Sequence, residues 1–184
     1  MSVLGGFGKY GFGYEPFGQP TKPRVFVSYH HANDQLYYNR FSQLFSNSYD
    51  ILYDASVDRK IDSENAEYQI RRIREEYITG TSVTIVLCGA ETYKRKFVDW
   101  EICATLNKQH ALLGINLPTN PQNHNGKYVV SARLHENIQS GFAGWMQWDE
   151  SPSVIITAIT EAREKAKTTS LIRNSSPTMK RNQS

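Results

Sequence analysis

Residues 82–88, Ser-Val-Thr-Ile-Val-Leu-Cys, are continuously β-prone, and the run from Ile85 to Cys88 is apolar without a break. A strand with one wet face alternates apolar and polar side chains. A run like this needs cover on both faces, the condition of a central strand in a parallel sheet. The flanking sequence supplies that cover. Arg24–Tyr29 is a short β-favouring run, and Asp34–Phe45 carries Leu36, Tyr37, Phe41, Leu44 and Phe45 at helical spacing. Tyr49–Asp54 forms a second strand, and Ser63 with Ala66, Ile70, Ile73 and Tyr77 marks an amphipathic helix ending near Gly80, a residue suited to a C-cap. Beyond the central run come a helix over 97–109, a strand over 111–117 and a Pro/Asn/Gly-rich loop over 118–143. An edge strand over 145–148 and a closing helix over 154–167 complete the pattern. Parallel neighbours need crossovers, so this alternation predicts an α/β, three-layer, flavodoxin-like fold. Its five-stranded, mainly parallel sheet has the order 2-1-3-4-5.

With 184 residues the chain supports one domain with a full-sized core. Residues 5–18 are a Gly/aromatic run whose glycines oppose helix and strand alike, so 1–22 is expected to be a flexible arm, 23–167 the domain and 168–184 a polar C-terminal tail. The formal charge is only +3 and much of the basic excess falls in the final stretch, which leaves no clustered basic face for nucleic acid. Cys88 and Cys103 lie in predicted core elements, consistent with free thiols in a reducing cytoplasm, and no partners stand at metal-site spacing. The start of the chain lacks a signal-peptide h-region, and no apolar run of about 18 residues would span a membrane.

In an open parallel sheet, ligands bind beyond the carboxyl ends of the strands where the strand order reverses. For the order 2-1-3-4-5 that point lies between the first and third strands. It is framed by the loops Tyr29–Asp34 and Cys88–Lys94, and the second loop leads into the helix carrying Glu101. Glu101 has Phe97 and Val98 one turn back and Ala104 and Thr105 one turn ahead, none of them basic. It shares a stripe with Phe97, Trp100 and Ala104. A half-buried acid costs stability unless something binds it, and such acids collect at functional sites. The alternatives are a solvated rim residue or a partner for a distant Lys or Arg. Asp99, with Arg95 and Lys96 nearby, has the pattern of a paired surface acid. His30 and His31 are either ordinary surface histidines or ligand contacts. Neither GxGxxG nor a P-loop joins a strand to a helix, since the glycines at 5–13 precede the first strand.

Three motifs resemble the TIR (Toll/interleukin-1 receptor) superfamily, most closely the bacterial TIR-like proteins of Thoeris-type anti-phage defence. They are Val25-Phe26-Val27-Ser28-Tyr29, Tyr53-Asp54-Ala55-Ser56, and Thr81–Leu87 leading to Phe97-Val98-Asp99-Trp100-Glu101-Ile102. The resemblance spans residues 24–117. The chain departs from the family pattern at Phe97, commonly Trp, and at Arg95, often Ser. The Pro-Gly loop of receptor adaptors does not follow Asp54.

The resemblance implies an NAD glycohydrolase or ADP-ribosyl cyclase with Glu101 as the catalytic residue. Ser28, Tyr29, His30, Asp54, Cys88, Tyr93, Phe97 and Trp100 would bind substrate, with Tyr29 and Trp100 stacking on nicotinamide or adenine. NAD+ would be substrate, not cofactor, and no metal is implied. The family pattern also implies homo-oligomerisation on activation, a phage trigger, and a separate effector protein that responds to an ADP-ribose-derived signal. The alternative is a non-catalytic TIR scaffold acting by protein–protein assembly. A phosphoacceptor receiver domain is excluded, because Ser28-Tyr29-His30 and Cys88 occupy the places where its acidic cluster and Asp would stand.

Overall fold

A computed structural model describes residues 22–52 and 65–183. The strands are β1 (Arg24–Ser28), β2 (Asp50–Leu52), β3 (Val83–Cys88), β4 (Ala111–Asn116) and β5 (Gly144–Gln147). The helices are α1 (His31–Phe45), α2 (Ala66–Ile73), α3 (Lys96–Asn107), α4 (Ala132–Gln139) and α5 (Pro152–Lys165), with a π-helical turn, Arg74–Ile78, continuing α2. The sheet is five-stranded, wholly parallel and ordered β2-β1-β3-β4-β5, the order expected of the flavodoxin-like fold.

Every residue of β3 and β4 is buried. Alternation along the strands divides the core into two faces. Val25, Val27, Ile85, Leu87, Leu113 and Ile115 turn towards α1 and α5, where Phe41, Phe45, Ile155 and Ile159 meet them. Val86, Cys88 and Leu112 pack under α3 and α4, while Phe26 packs under α2 and α3 with Ile70, Ile73 and Trp100. The one polar side chain inside β3, Thr84, is satisfied by Thr105 of α3 at 2.7 Å. Thr105 in turn reaches the Glu101 carbonyl at 2.8 Å. Gly80, at φ +87, follows the cap residue Thr79 and accepts the left-handed geometry that a side chain would resist.

Two segments differ from expectation. The stretch 118–143 contains α4, because its Pro, Asn and Gly crowd the first half while Val130, Leu134 and Ile138 recur four apart in the second. Residues 168–183 do not trail away; they run back across α3 and α4 through the hydrogen bonds described below. The Gly/aromatic run and the segment carrying Asp54 lie outside the described residues.

Candidate functional site

The two loops predicted to frame the crevice are neighbours, and side chains tie them together. Thr92 donates its hydroxyl to Asp34 Oδ2 at 2.8 Å and accepts the Gly89 N–H at 2.8 Å. Asn33 reaches Glu91 at 3.4 Å, and Glu91 pairs with Arg95 at the start of α3. Asp34 is wholly buried. Burial pushes its carboxyl above the usual carboxylate range against the opposing pull of the Thr92 hydroxyl, a backbone hydrogen bond at His30 and the Arg95 charge, with Glu91 adding to the upward push. Gly89 is required here: a Cβ would stand 2.0 Å from Asp34 Oδ1.

Glu101 lies on the second turn of α3, with 6% of its surface exposed. The Ser28 hydroxyl, at the carboxyl end of β1, donates to its Oε2 at 2.5 Å. The partner that sequence reasoning did not find within one helical turn comes from another strand, 73 residues away. Ser28 reaches α3 because strand alternation turns residues 26 and 28 to the same face.

The same alternation turns Tyr29 the other way. Its ring stacks on Tyr38 at 4.6 Å in the α1–α5 core, and its hydroxyl donates to Gln35. Trp100 is 1% exposed, packed with Phe26, Ile70 and Ile73, and its indole N–H donates to the Met179 carbonyl at 2.8 Å. Both rings are packed against core side chains. Phe97 is half-buried, one turn before Glu101, edge-on to Trp100 and under the Lys96 ammonium at 5.0 Å. His30 is buried at the N-cap position of α1. Cys88 and Tyr93 line a small space with Val98, Val130 and Leu134 on the α3–α4 side. Burial raises the Cys88 thiol far above its ordinary range, reinforced by the nearby Asp34 charge.

Asp99 is not a surface acid. Its carboxylate is 5% exposed and pairs with Arg133 of α4, 1% exposed, at 2.9 Å. The expected partners are engaged elsewhere: Arg95 with Glu91, and Lys96 over the Phe97 and Trp100 rings. Neither Arg133 nor the Asp34–Thr92–Gly89 clasp carried a sequence signal, because each joins side chains distant along the chain.

A parallel five-stranded sheet with a serine at the end of its first strand and a buried glutamate on the helix after its third is the arrangement against which comparison with known proteins is informative. The model of the family described as Thoeris protein ThsB, TIR-like domain, matches residues 26–122, more than half of the chain. The chain belongs to that family. It is similar to a protein of Bacillus cereus (strain MSX-D12) named "Putative cyclic ADP-D-ribose synthase ThsB1", with 30% identity over 101 residues, 51% of each chain. The chain thus matches about half the length of that curated relative. The matched family segment includes both Ser28 and Glu101 and ends before α4. No helix among the described residues is long and apolar enough to cross a membrane.

Proposed function

We propose that this protein cleaves NAD+ at the nicotinamide–ribose bond and converts the ADP-ribosyl unit into a signal nucleotide in anti-phage defence. The observation that carries the reading is the buried carboxylate of Glu101 held by Ser28 where the strand order reverses. The family membership and the printed name of the Bacillus relative support it.

Nicotinamide departs as a neutral group, so the enzyme need not protonate it. The charge develops at the anomeric carbon, which becomes oxocarbenium-like. A carboxylate fixed beside that carbon stabilises the charge without reorganising, and it can also accept hydrogen bonds from the ribose hydroxyls. Ser28 orients the carboxylate, and Phe97 and His30 border the ribose and nicotinamide side at the rim of α3 and the end of β1. Attack by water gives ADP-ribose. Attack by a hydroxyl or base nitrogen of the same molecule closes a cyclic nucleotide. Such a product would act on a separate effector protein, with infection as the trigger and homo-oligomerisation accompanying activation.

The test is mass spectrometry of NAD+ incubated with the purified protein and with lysate of phage-infected cells expressing it, beside Glu101→Gln. Nicotinamide together with an ADP-ribose-derived product, absent with the variant, supports the reading and identifies the nucleophile from the product mass. Intact NAD+ in every sample, with the protein folded and oligomeric, sinks it and leaves the scaffold.

A further inference from the structure

The strap formed by residues 172–183 is fastened to the helix that carries Glu101. Met179 makes two backbone contacts with consecutive residues of α3: its N–H donates to Asp99 Oδ2 at 2.9 Å, and its carbonyl accepts the Trp100 indole at 2.8 Å. The Asn182 side chain accepts the Lys96 N–H at 2.9 Å. Arg95, at the N-cap position of α3, makes no side-chain cap bond, so the strap provides the acceptor that a helix start ordinarily takes from its own N-cap residue. Gln183 N–H donates to the Lys94 carbonyl at 3.0 Å.

Further back, Arg133 links strap and helix in one buried fork. Its Nε holds Asp99, and its two terminal nitrogens hold Asn174 Oδ1 at 2.5 Å and the Ser176 carbonyl at 2.8 Å. Asn137 of α4 exchanges side-chain bonds with the Arg173 backbone in both directions, at 2.7 and 3.0 Å. None of these partners falls within the segment that matches the family model, apart from Lys94 and the α3 residues themselves.

The bonds converge on Lys96, Asp99 and Trp100, the turn immediately before Glu101. A helix held at three points on one turn cannot rotate or slide about its axis without breaking them. We infer that the strap is a positioning element for Glu101: by fixing the first turn of α3 through Met179 and Asn182, it sets the rotation that brings the carboxylate to the Ser28 hydroxyl. This rests on Glu101 being the reacting carboxylate. Displacing a reacting group by about 1 Å can cost about a hundredfold in rate, so a clamp of this kind acts on turnover rather than on substrate affinity.

The experiment compares the full chain with a chain ended after Pro177, and Asn182→Ala with Asn182→Asp. The shortened chain keeps the Asn174 and Ser176 contacts to Arg133. Nicotinamide release is followed together with the 13C signal of the Glu101 carboxylate, assigned through Glu101→Gln and titrated against pH. The expected result is a kcat about 10- to 100-fold lower for the shortened chain at nearly unchanged KM for NAD+, with a displaced Glu101 titration. Asn182→Ala should move both readouts in the same direction, and Asn182→Asp, which retains a capping acceptor, should restore them. Unchanged kcat and carboxylate signal in the shortened chain overturn the inference, as does a raised KM with kcat intact. If the shortened chain does not fold, the exposed Asn182 pair decides. A full chain that releases no nicotinamide either alone or in lysate of phage-infected cells, while folded and oligomeric, refutes the catalytic reading alone, and the carboxylate signal still decides whether the strap positions Glu101.

Discussion

Arg133→Met is the sharpest test of how the chain holds itself together around α3. Arg133 and Asp99 are both almost wholly out of solvent and meet at 2.9 Å. Removing the guanidinium leaves the Asp99 carboxylate buried with the Met179 N–H, and it also takes the donor from Asn174 Oδ1 and the Ser176 carbonyl. Breaking a buried pair from one side costs about 3–5 kcal/mol, chiefly from the uncompensated charge. For a chain of this size each kcal/mol moves the melting temperature by about 2–4 °C, so a fall of about 6–20 °C is expected. Urea unfolding followed by far-UV circular dichroism at neutral pH, with a parallel thermal scan, measures it. The double variant Arg133→Met/Asp99→Asn removes the stranded charge while keeping an acceptor for Met179, and should recover most of the loss. A single-variant cost below about 1 kcal/mol, the size typical of an exposed pair, would refute the reasoning. So would a double variant whose loss is the plain sum of the two singles.

Gly89→Ala should destabilise by about 1–3 kcal/mol in urea unfolding, since its Cβ would meet Asp34 Oδ1 at 2.0 Å and Asp34 is too buried to swing aside; wild-type stability would show that the clasp yields. Asp34 predicts a pH dependence. Burial raises its carboxyl in the folded state, so the stability it contributes is complete below the unfolded carboxylate pKa and is lost as pH rises through the higher folded value. The melting temperature of Asp34→Asn relative to wild type should therefore climb as the pH rises above about 4, the ordinary carboxylate value, and a flat difference would contradict the burial argument. Trp100→Phe keeps the packing but removes the indole donor to Met179, and should expose residues 172–183 to faster proteolysis than in wild type. Unchanged cleavage would mean that the indole does not hold the strap.

What the sequence made legible follows the reach of each signal. The run 82–88 announced a doubly covered strand because burial on two faces leaves a pattern within one element. Alternation announced the parallel sheet with its flanking helices, and the crevice between β1 and β3 followed once the flavodoxin-like order 2-1-3-4-5 was adopted for it. Glu101 stood out because its helical neighbours offer no cation, and its engagement by Ser28 is a contact between strand and helix that local spacing cannot show. Asp99 was misassigned for the same reason: arginine and lysine one turn away looked sufficient, while the true partner sits 34 residues downstream in a stretch whose average composition is that of a loop. Period-two alternation places consecutive residues on opposite faces, so the turn of Ser28 towards α3 and of Tyr29 towards α1 was legible in the strand. The strap was invisible because it docks through backbone groups and asparagine side chains, which carry no hydrophobic period.

The central claim is that the Ser28-held carboxylate of Glu101 breaks the nicotinamide–ribose bond. Its most direct test is the initial rate of nicotinamide release by the wild-type chain, Ser28→Ala and Glu101→Gln, each shown by circular dichroism to be folded. Loss of at least about a hundredfold in Glu101→Gln, with a smaller loss in Ser28→Ala, is the expected result. A Glu101→Gln chain that releases nicotinamide at the wild-type rate would contradict the claim and move the chemistry to another residue.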